Sequence, residues 1–245
     1  MEEVGINKQI RPGCGLGESS ISLTGKSSKL VSVQIIEAPS TSNFNLPFDV
    51  SNNISYGAFY MNSLQSGQYV FRSVNECNEV DTTSVNIEGY IITKNIVNLK
   101  PTCNSFNISL YFTSNAFISQ KFWLQKLIDA NSDTWGHPES EIVYAENAMP
   151  DSLNSIELTN SSINYNFAYN GTFRVVRSFL VFNNGYDIVD ETSNAKNKYC
   201  VEVLSSNLNY NQTFELREIY RLPCSSLNNL DVVIDAVGAG NISYK

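Results

Sequence analysis

Gln9–Leu23 reads QIRPGCGLGESSISL, and the chain repeats its pattern at Val97–Phe112 (VNLKPTCNSFNISLYF) and at Ile219–Ala236 (IYRLPCSSLNNLDVVIDA). Each stretch is a short extended segment, a proline one or two residues before a cysteine, a polar turn and then alternating apolar residues. An echo of this kind marks a modular chain. The third copy starts close to Lys245, far short of the ~80–100 residues that a β-sandwich domain needs. The expected organisation is therefore module one at 8–90, module two at 91–211, and the first strands of a truncated third module at 212–245.

Along the chain the dominant period is two. Leu30–Ile35, Phe59–Leu64, Gln68–Val74 and Asn107–Phe112 alternate apolar with polar residues or are short β-branched and aromatic runs, bounded by Gly, Asn, Ser or Pro. Only Ala116–Ile128 also fits a helical period. A strand is favoured there, because Ala130-Asn131-Ser132-Asp133 supplies turn residues and Thr134-Trp135 resumes an extended pattern. A second echo closes the modules: Gly67-Gln68-Tyr69-Val70-Phe71 leads to Cys77, and Gly171-Thr172-Phe173-Arg174-Val175 leads to Cys200. A glycine turn and an aromatic opening an alternating strand is how the penultimate hairpin of immunoglobulin-like sandwiches reads. The fold class expected is all-β, with tandem immunoglobulin-like or fibronectin III-like sandwich modules. Module two is longer through Trp135–Asp151 and Gly185–Lys198, the segments expected to behave individually.

Composition narrows the function. The net charge is −8, with only 16% charged residues, so the basic stripe that nucleic-acid backbones require is missing. No apolar run approaches the ~18–20 residues of a membrane-spanning helix. Met1-Glu2-Glu3 has neither the charged nor the apolar region of a signal peptide; on the modular reading Met1 is an added start codon on an interior fragment.

The five cysteines divide into three echo positions, Cys14, Cys103 and Cys224, and two late-module positions, Cys77 and Cys200. Pairing within modules gives Cys14–Cys77 and Cys103–Cys200, with Cys224 left unpaired in this fragment, and implies an oxidising, extracellular setting. One geometric objection stands against it: in a sandwich the loop before the second strand and the loop before the last strand lie at opposite ends, beyond the Cα separation of ~4.4–6.8 Å that a disulfide tolerates. The rival set is Cys77–Cys103 with Cys200–Cys224, and the remaining alternative is five buried thiols.

Chemistry-bearing motifs are sparse. Gly13-Cys14-Gly15-Leu16-Gly17 followed by Thr24-Gly25-Lys26-Ser27 lacks the glycine that a phosphate loop needs at position 20, which is serine, so these glycines read as turn residues. The single histidine, His137, stands near Glu139 and Glu141 and reads as part of a polar turn. Asp187, Asp190 and Glu191 lack the stepped pattern of a calcium loop. Trp135 is the candidate for stacking on a sugar ring. Asn-x-Ser/Thr at Asn53, Asn107, Asn160, Asn170, Asn211 and Asn241 is what chance yields in a chain so rich in Asn and Ser. No cofactor, metal or catalytic residue is expected, and no enzymatic activity.

Three motifs together resemble a known family: Cys-Gly-x-Gly-x-x-Ser-Ile-x-Leu at Cys14–Leu23, Leu-x-x-Gly-x-Tyr-x-Phe closing at Cys77, and Phe122-Trp123-Leu124-Gln125-Lys126 through Trp135-Gly136-His137-Pro138 to Tyr144. They look like the tandem modules of giant Bacteroidetes surface proteins, the SprB-type gliding-motility adhesins exported by type IX secretion. The resemblance implies an immunoglobulin-like array at the cell surface, with neighbouring modules of the same chain as partners and surface polysaccharide or the substratum as adhesive target. It also makes Thr82 in Asp81-Thr82-Thr83 and Ser152 in Asp151-Ser152-Leu153 candidates for O-glycosylation. The alternatives are a carbohydrate-binding accessory module of a secreted enzyme and a phage fibre protein.

Overall fold

The computed structural model describes residues 5–102 and 104–211, together with the backbone of 214–221 and 232–238. Strand accounts for 59% of the chain and helix for 3%, so the all-β class stands.

Eight strands make the first sandwich: β1 (Ile6–Pro12), β2 (Glu18–Gly25), β3 (Leu30–Glu37), β4 (Phe48–Asp49), β5 (Ile54–Ser55), β6 (Ala58–Gln65), β7 (Gly67–Asn75) and β8 (Val80–Ile87). They form two antiparallel sheets, ordered β1-β2-β6-β5 and β4-β3-β7-β8. The alternation read in the sequence places Ile21, Leu23 and Phe59 of one sheet against Val33, Ile35, Phe71 and Val85 of the other in one buried cluster. Full burial of side chains of this kind contributes roughly 1.5–3 kcal/mol each.

The next eight strands are β9 (Ile92–Pro101), β10 (Phe106–Ser114), β11 (Lys121–Asp129), β12 (Thr134–Gly136), β13 (Ile156–Leu158), β14 (Ser162–Phe167), β15 (Gly171–Phe182) and β16 (Asn197–Tyr210). A sheet ordered β14-β10-β9 faces one ordered β12-β11-β15-β16, to which β13 adds by pairing with β11. The ambiguous segment is extended from Lys121 to Asp129 and turns into β12, as its turn residues require. Between the sheets lie Phe106, Ile108, Leu110 and Phe112 against Phe122, Leu124, Phe173 and Val175. Beyond Tyr210, β17 (Phe214–Arg221) and β18 (Val232–Gly238) pair antiparallel.

The glycine-aromatic echo falls at the start of β7 and of β15, the penultimate strand of each sandwich. Gly67 has φ +139° and Gly171 φ +133°, while Tyr69 and Phe173, two residues on, are both fully buried. A Cβ on Gly67 would stand 2.6 Å from the Pro39 ring in a backbone region nearly closed to other residues. Gly67→Ala should therefore lower the urea unfolding free energy of the first sandwich by about 1–3 kcal/mol, whereas alanine at the open, exposed turn residue Ser66 should change it little.

Candidate functional site

The residues joining the sandwiches, Glu88 to Ile91, are held by the Gly17 backbone on one side and by Asn115 on the other. Gly17 N–H donates to Tyr90 O at 3.0 Å, and Asn115 Nδ2 donates to Gly89 O at 2.7 Å. The Ile91 N–H donates to Asn115 Oδ1 at 2.9 Å. Gly89, at φ +83°, crosses so close to Gly17 that a Cβ would lie 2.6 Å from the Gly17 carbonyl. A connection made of such contacts has no slack.

Tyr90 then drops into the end of the second core. Its hydroxyl donates to Glu202 Oε1 at 2.6 Å and accepts from Arg177 Nη1 at 2.9 Å, while Arg177 Nη1 also meets Glu202 Oε1 at 2.8 Å. Arg177 Nη2 donates to Gln120 Oε1 at 3.2 Å, and the guanidinium carbon lies 4.3 Å from the Phe179 ring centre and 4.6 Å from that of Phe112. The Arg177 side chain has no solvent exposure. Burial pushes the Tyr90 phenol far above the ordinary tyrosine range, the hydrogen bond and negative field of Glu202 push further the same way, and Arg177 opposes them.

This group is the polar residue set that the sequence reading passed over, although β15 carries its signal. Phe173, Val175, Arg177, Phe179 and Val181 alternate along one face, and four of the five are apolar core. An arginine in such a row needs an anion and a hydrogen-bond acceptor waiting inside.

The β15–β16 hairpin runs past its own sandwich onto the first one. Phe182 N–H donates to Ser20 Oγ at 3.0 Å, the Asn62 N–H to Asn184 Oδ1 at 3.1 Å, and the Tyr56 hydroxyl to Val189 O at 3.2 Å. Tyr60, Phe182 and Ile188 pack as a small buried cluster between the modules.

A disulfide joins the same two bodies: Cys14 bonds Cys200 with a Cα separation of 5.3 Å, across 186 residues of sequence. This overturns both pairing schemes and the five-thiol alternative. Cys14–Cys77 fails on the stated geometry. The Ser66 N–H bonded to Gly17 O at 2.9 Å sets the β1–β2 loop beside the start of β7, and Cys77 follows the far end of that nine-residue strand, roughly 30 Å away at strand rise. Cys77 is exposed and free. Cys103–Cys200 and Cys200–Cys224 are excluded because the Cys200 sulfur is already bonded. Cys103, Cys224 and Asn241 lie outside the described residues.

Trp135 is also corrected. It is 4% exposed, its Nε1 donates to Asp133 Oδ1 at 2.9 Å, and the Arg174 guanidinium lies 4.6 Å from its ring centre. No face is left for a sugar. The cause is the segment after β12, which folds back over the outer side of the sheet: Arg174 Nη2 reaches Glu146 Oε1 at 2.5 Å, Arg174 Nε donates to the buried Gln125, and Gln125 Nε2 donates to Ser155 Oγ at 2.9 Å.

The remaining candidates are turn and surface residues. His137 Nδ1 accepts the N–H groups of Glu139 and Ser140, each at 3.2 Å, while Glu141 pairs with Lys126 at 2.7 Å, which holds its carboxyl below the usual range. Asp190 caps Thr192, and Asp187 and Glu191 are exposed. Among the described residues no group of three acidic, His or Cys side chains could hold a metal ion. Gly13 N–H donates to Glu18 O, the tight turn read from the glycines. Thr82, in β8, and Ser152, in a turn, are both exposed. Comparisons with protein-family models, curated proteins and solved structures gave no match.

Two outcomes test the buried triad. Arg177→Met should cost about 3–5 kcal/mol in urea unfolding, because Glu202 then loses its counter-charge; adding Glu202→Leu should restore a large part. The second concerns pH. A tyrosine whose folded pKa lies above its unfolded value of 10.0 adds stability that is complete below that pH and is lost as pH rises through the folded value. The stability difference between the wild type and Tyr90→Phe should thus be constant at neutral pH and shrink in alkaline buffer, and Tyr90→Phe should remove one of the tyrosinate absorbance steps that the wild type shows above 10.0.

Proposed function

We propose that this chain is a segment of an extracellular surface adhesin in which β-sandwich modules are locked in series to form a stiff stalk that presents loops to a substratum. The observation that carries the reading is the junction, where one disulfide, one overlapping hairpin and the anchoring of Tyr90 on the buried Arg177–Glu202 pair all tie the two sandwiches together. A flexible tether needs none of these, whereas a stalk that transmits force needs its joints stiff. The Cys14–Cys200 bond also favours an oxidising compartment.

The strand order supports immunoglobulin-like modules. In the first sandwich β1-β2-β6-β5 and β4-β3-β7-β8 follow the connectivity of four strands ABED facing C, F and G with one added edge strand. In the second, β14-β10-β9 and β12-β11-β15-β16 repeat that order with the fourth strand moved to β11. On this reading Cys14 belongs to the loop between the first two strands of one module and Cys200 to the last strand of the next. The motifs at Cys14–Leu23, Leu64–Cys77 and Phe122–Tyr144 support placing the array among gliding-motility adhesins of the SprB type, with Thr82 and Ser152 open to glycan attachment.

Antibodies raised against the chain should label intact cells of the organism that encodes it, and mild surface proteolysis should remove that label. Peptide mapping of the released protein without reductant should recover the Cys14 and Cys200 peptides linked. Labelling that appears only after lysis, with both cysteines reduced, would sink the proposal.

A further inference from the structure

The hairpin that overlaps the first sandwich leaves an open cleft of about 250 Å³ beside it. Its walls carry Arg11 and Gln9 from β1, Ser22 and Thr24 from β2, Lys196 from the turn before β16 and Asn197 from its first position. With Ser193, Tyr60 and Phe182 completing the lining, two cations, two amides, four hydroxyl-bearing side chains and one phenylalanine ring border the space, and no carboxylate lines it, in a chain whose net charge is −8.

The cations are held but not neutralised. Arg11 lies with its guanidinium carbon 3.9 Å from the Phe182 ring centre, and its Nη1 donates to Asn197 Oδ1 at 2.7 Å. The ring and the amide fix the plane of the guanidinium and leave its other N–H donors without a protein acceptor among the described residues. Burial lowers its pKa, the sign of a charge removed from water without an anion to replace it. Lys196 is half-buried and makes no ion pair among the described residues; its charge acts on Asp190, at the exposed hairpin tip, without a direct contact. Partly desolvated cations set apart from acids favour an anionic ligand, and the planar fork of arginine suits a carboxylate.

We propose that this inter-module cleft binds a carboxylated sugar ring, a hexuronate unit of an acidic polysaccharide. Arg11 and Lys196 take the carboxylate, while Gln9, Asn197, Ser22 and Thr24 hydrogen-bond the ring hydroxyls. The hydroxyls and amides, with the rings of Tyr60 and Phe182 beside them, suit a pyranose, which carries hydroxyls on its edge and C–H groups on its face. The cleft exists only while the two sandwiches are locked, since its walls come from both. The inference deepens the adhesive-array reading and rests on it.

Calorimetric titration of the intact chain with methyl β-glucuronide at low salt should show saturable binding at one site that weakens as salt is added. Methyl β-glucoside and sodium acetate should each bind at least about tenfold more weakly. Lys196→Gln should weaken the glucuronide about tenfold, and Arg11→Gln at least as much, with the Cys14–Cys200 link retained as proof that each variant folds. Binding that glucoside or acetate matches, preference for an oligo-aspartate peptide, or an affinity unchanged in Lys196→Gln overturns the proposal. Small-angle scattering separates this from the array reading: two sandwiches that scatter as one stiff body while glucuronide fails to bind remove the ligand and leave the stalk, whereas independently tumbling sandwiches remove the stalk.

Discussion

A guanidinium with no access to water sits at the end of the second core, and the path of the chain between the modules follows from it. Arg177 is enclosed by Phe112 and Phe179, where an unpaired charge would cost several kcal/mol. Glu202, directly opposite on β16, supplies the counter-charge. Tyr90 closes the arrangement by accepting from the arginine and donating to the carboxylate with one hydroxyl. Because Tyr90 belongs to the connection between the sandwiches, satisfying the buried charge also fixes where the first module attaches.

The other contacts at the junction reinforce that choice. Gly89 lets the connection cross the Gly17 backbone where a side chain would clash, and the Gly17 to Tyr90 hydrogen bond ties the β1–β2 loop to the connection. The same loop carries Cys14, which brings it within covalent reach of Cys200. The overlap of β15–β16 on the first sandwich adds apolar contact through Tyr60, Phe182 and Ile188. Charge, backbone, covalent and apolar terms thus act on one relative placement, and a rotation that relieved one would break the others.

Both long insertions of the second module work by covering something. The segment after β12 lays Tyr144 beside Trp135 of that strand, both against Arg174, and buries the outer face of a sheet that sandwiches commonly leave in water. The β15–β16 extension covers the first module and opens the cleft beside Arg11. The length of each segment in the sequence announced that it was special. Its direction did not, since a loop's path depends on contacts with residues far along the chain.

Periodicity and turn chemistry are local properties, so residues a few positions apart were enough to establish the strands, the all-β class, the strand reading of Lys121–Asp129, and the matched openings at Gly67 and Gly171. Cysteine pairing, the burial of Trp135 and the role of Arg177 are different in kind. A disulfide depends on two Cα atoms coming within 5.3 Å across 186 residues, and spacing along the chain carries no information about that distance. Trp135 is buried because a later segment returns over it, and Arg177 is tolerated because Tyr90 arrives from the connection and Glu202 from β16. The echoing Pro-and-Cys stretches suggested the modules; only packing in three dimensions decided that Cys14 reaches across the junction to Cys200 instead of closing its own module.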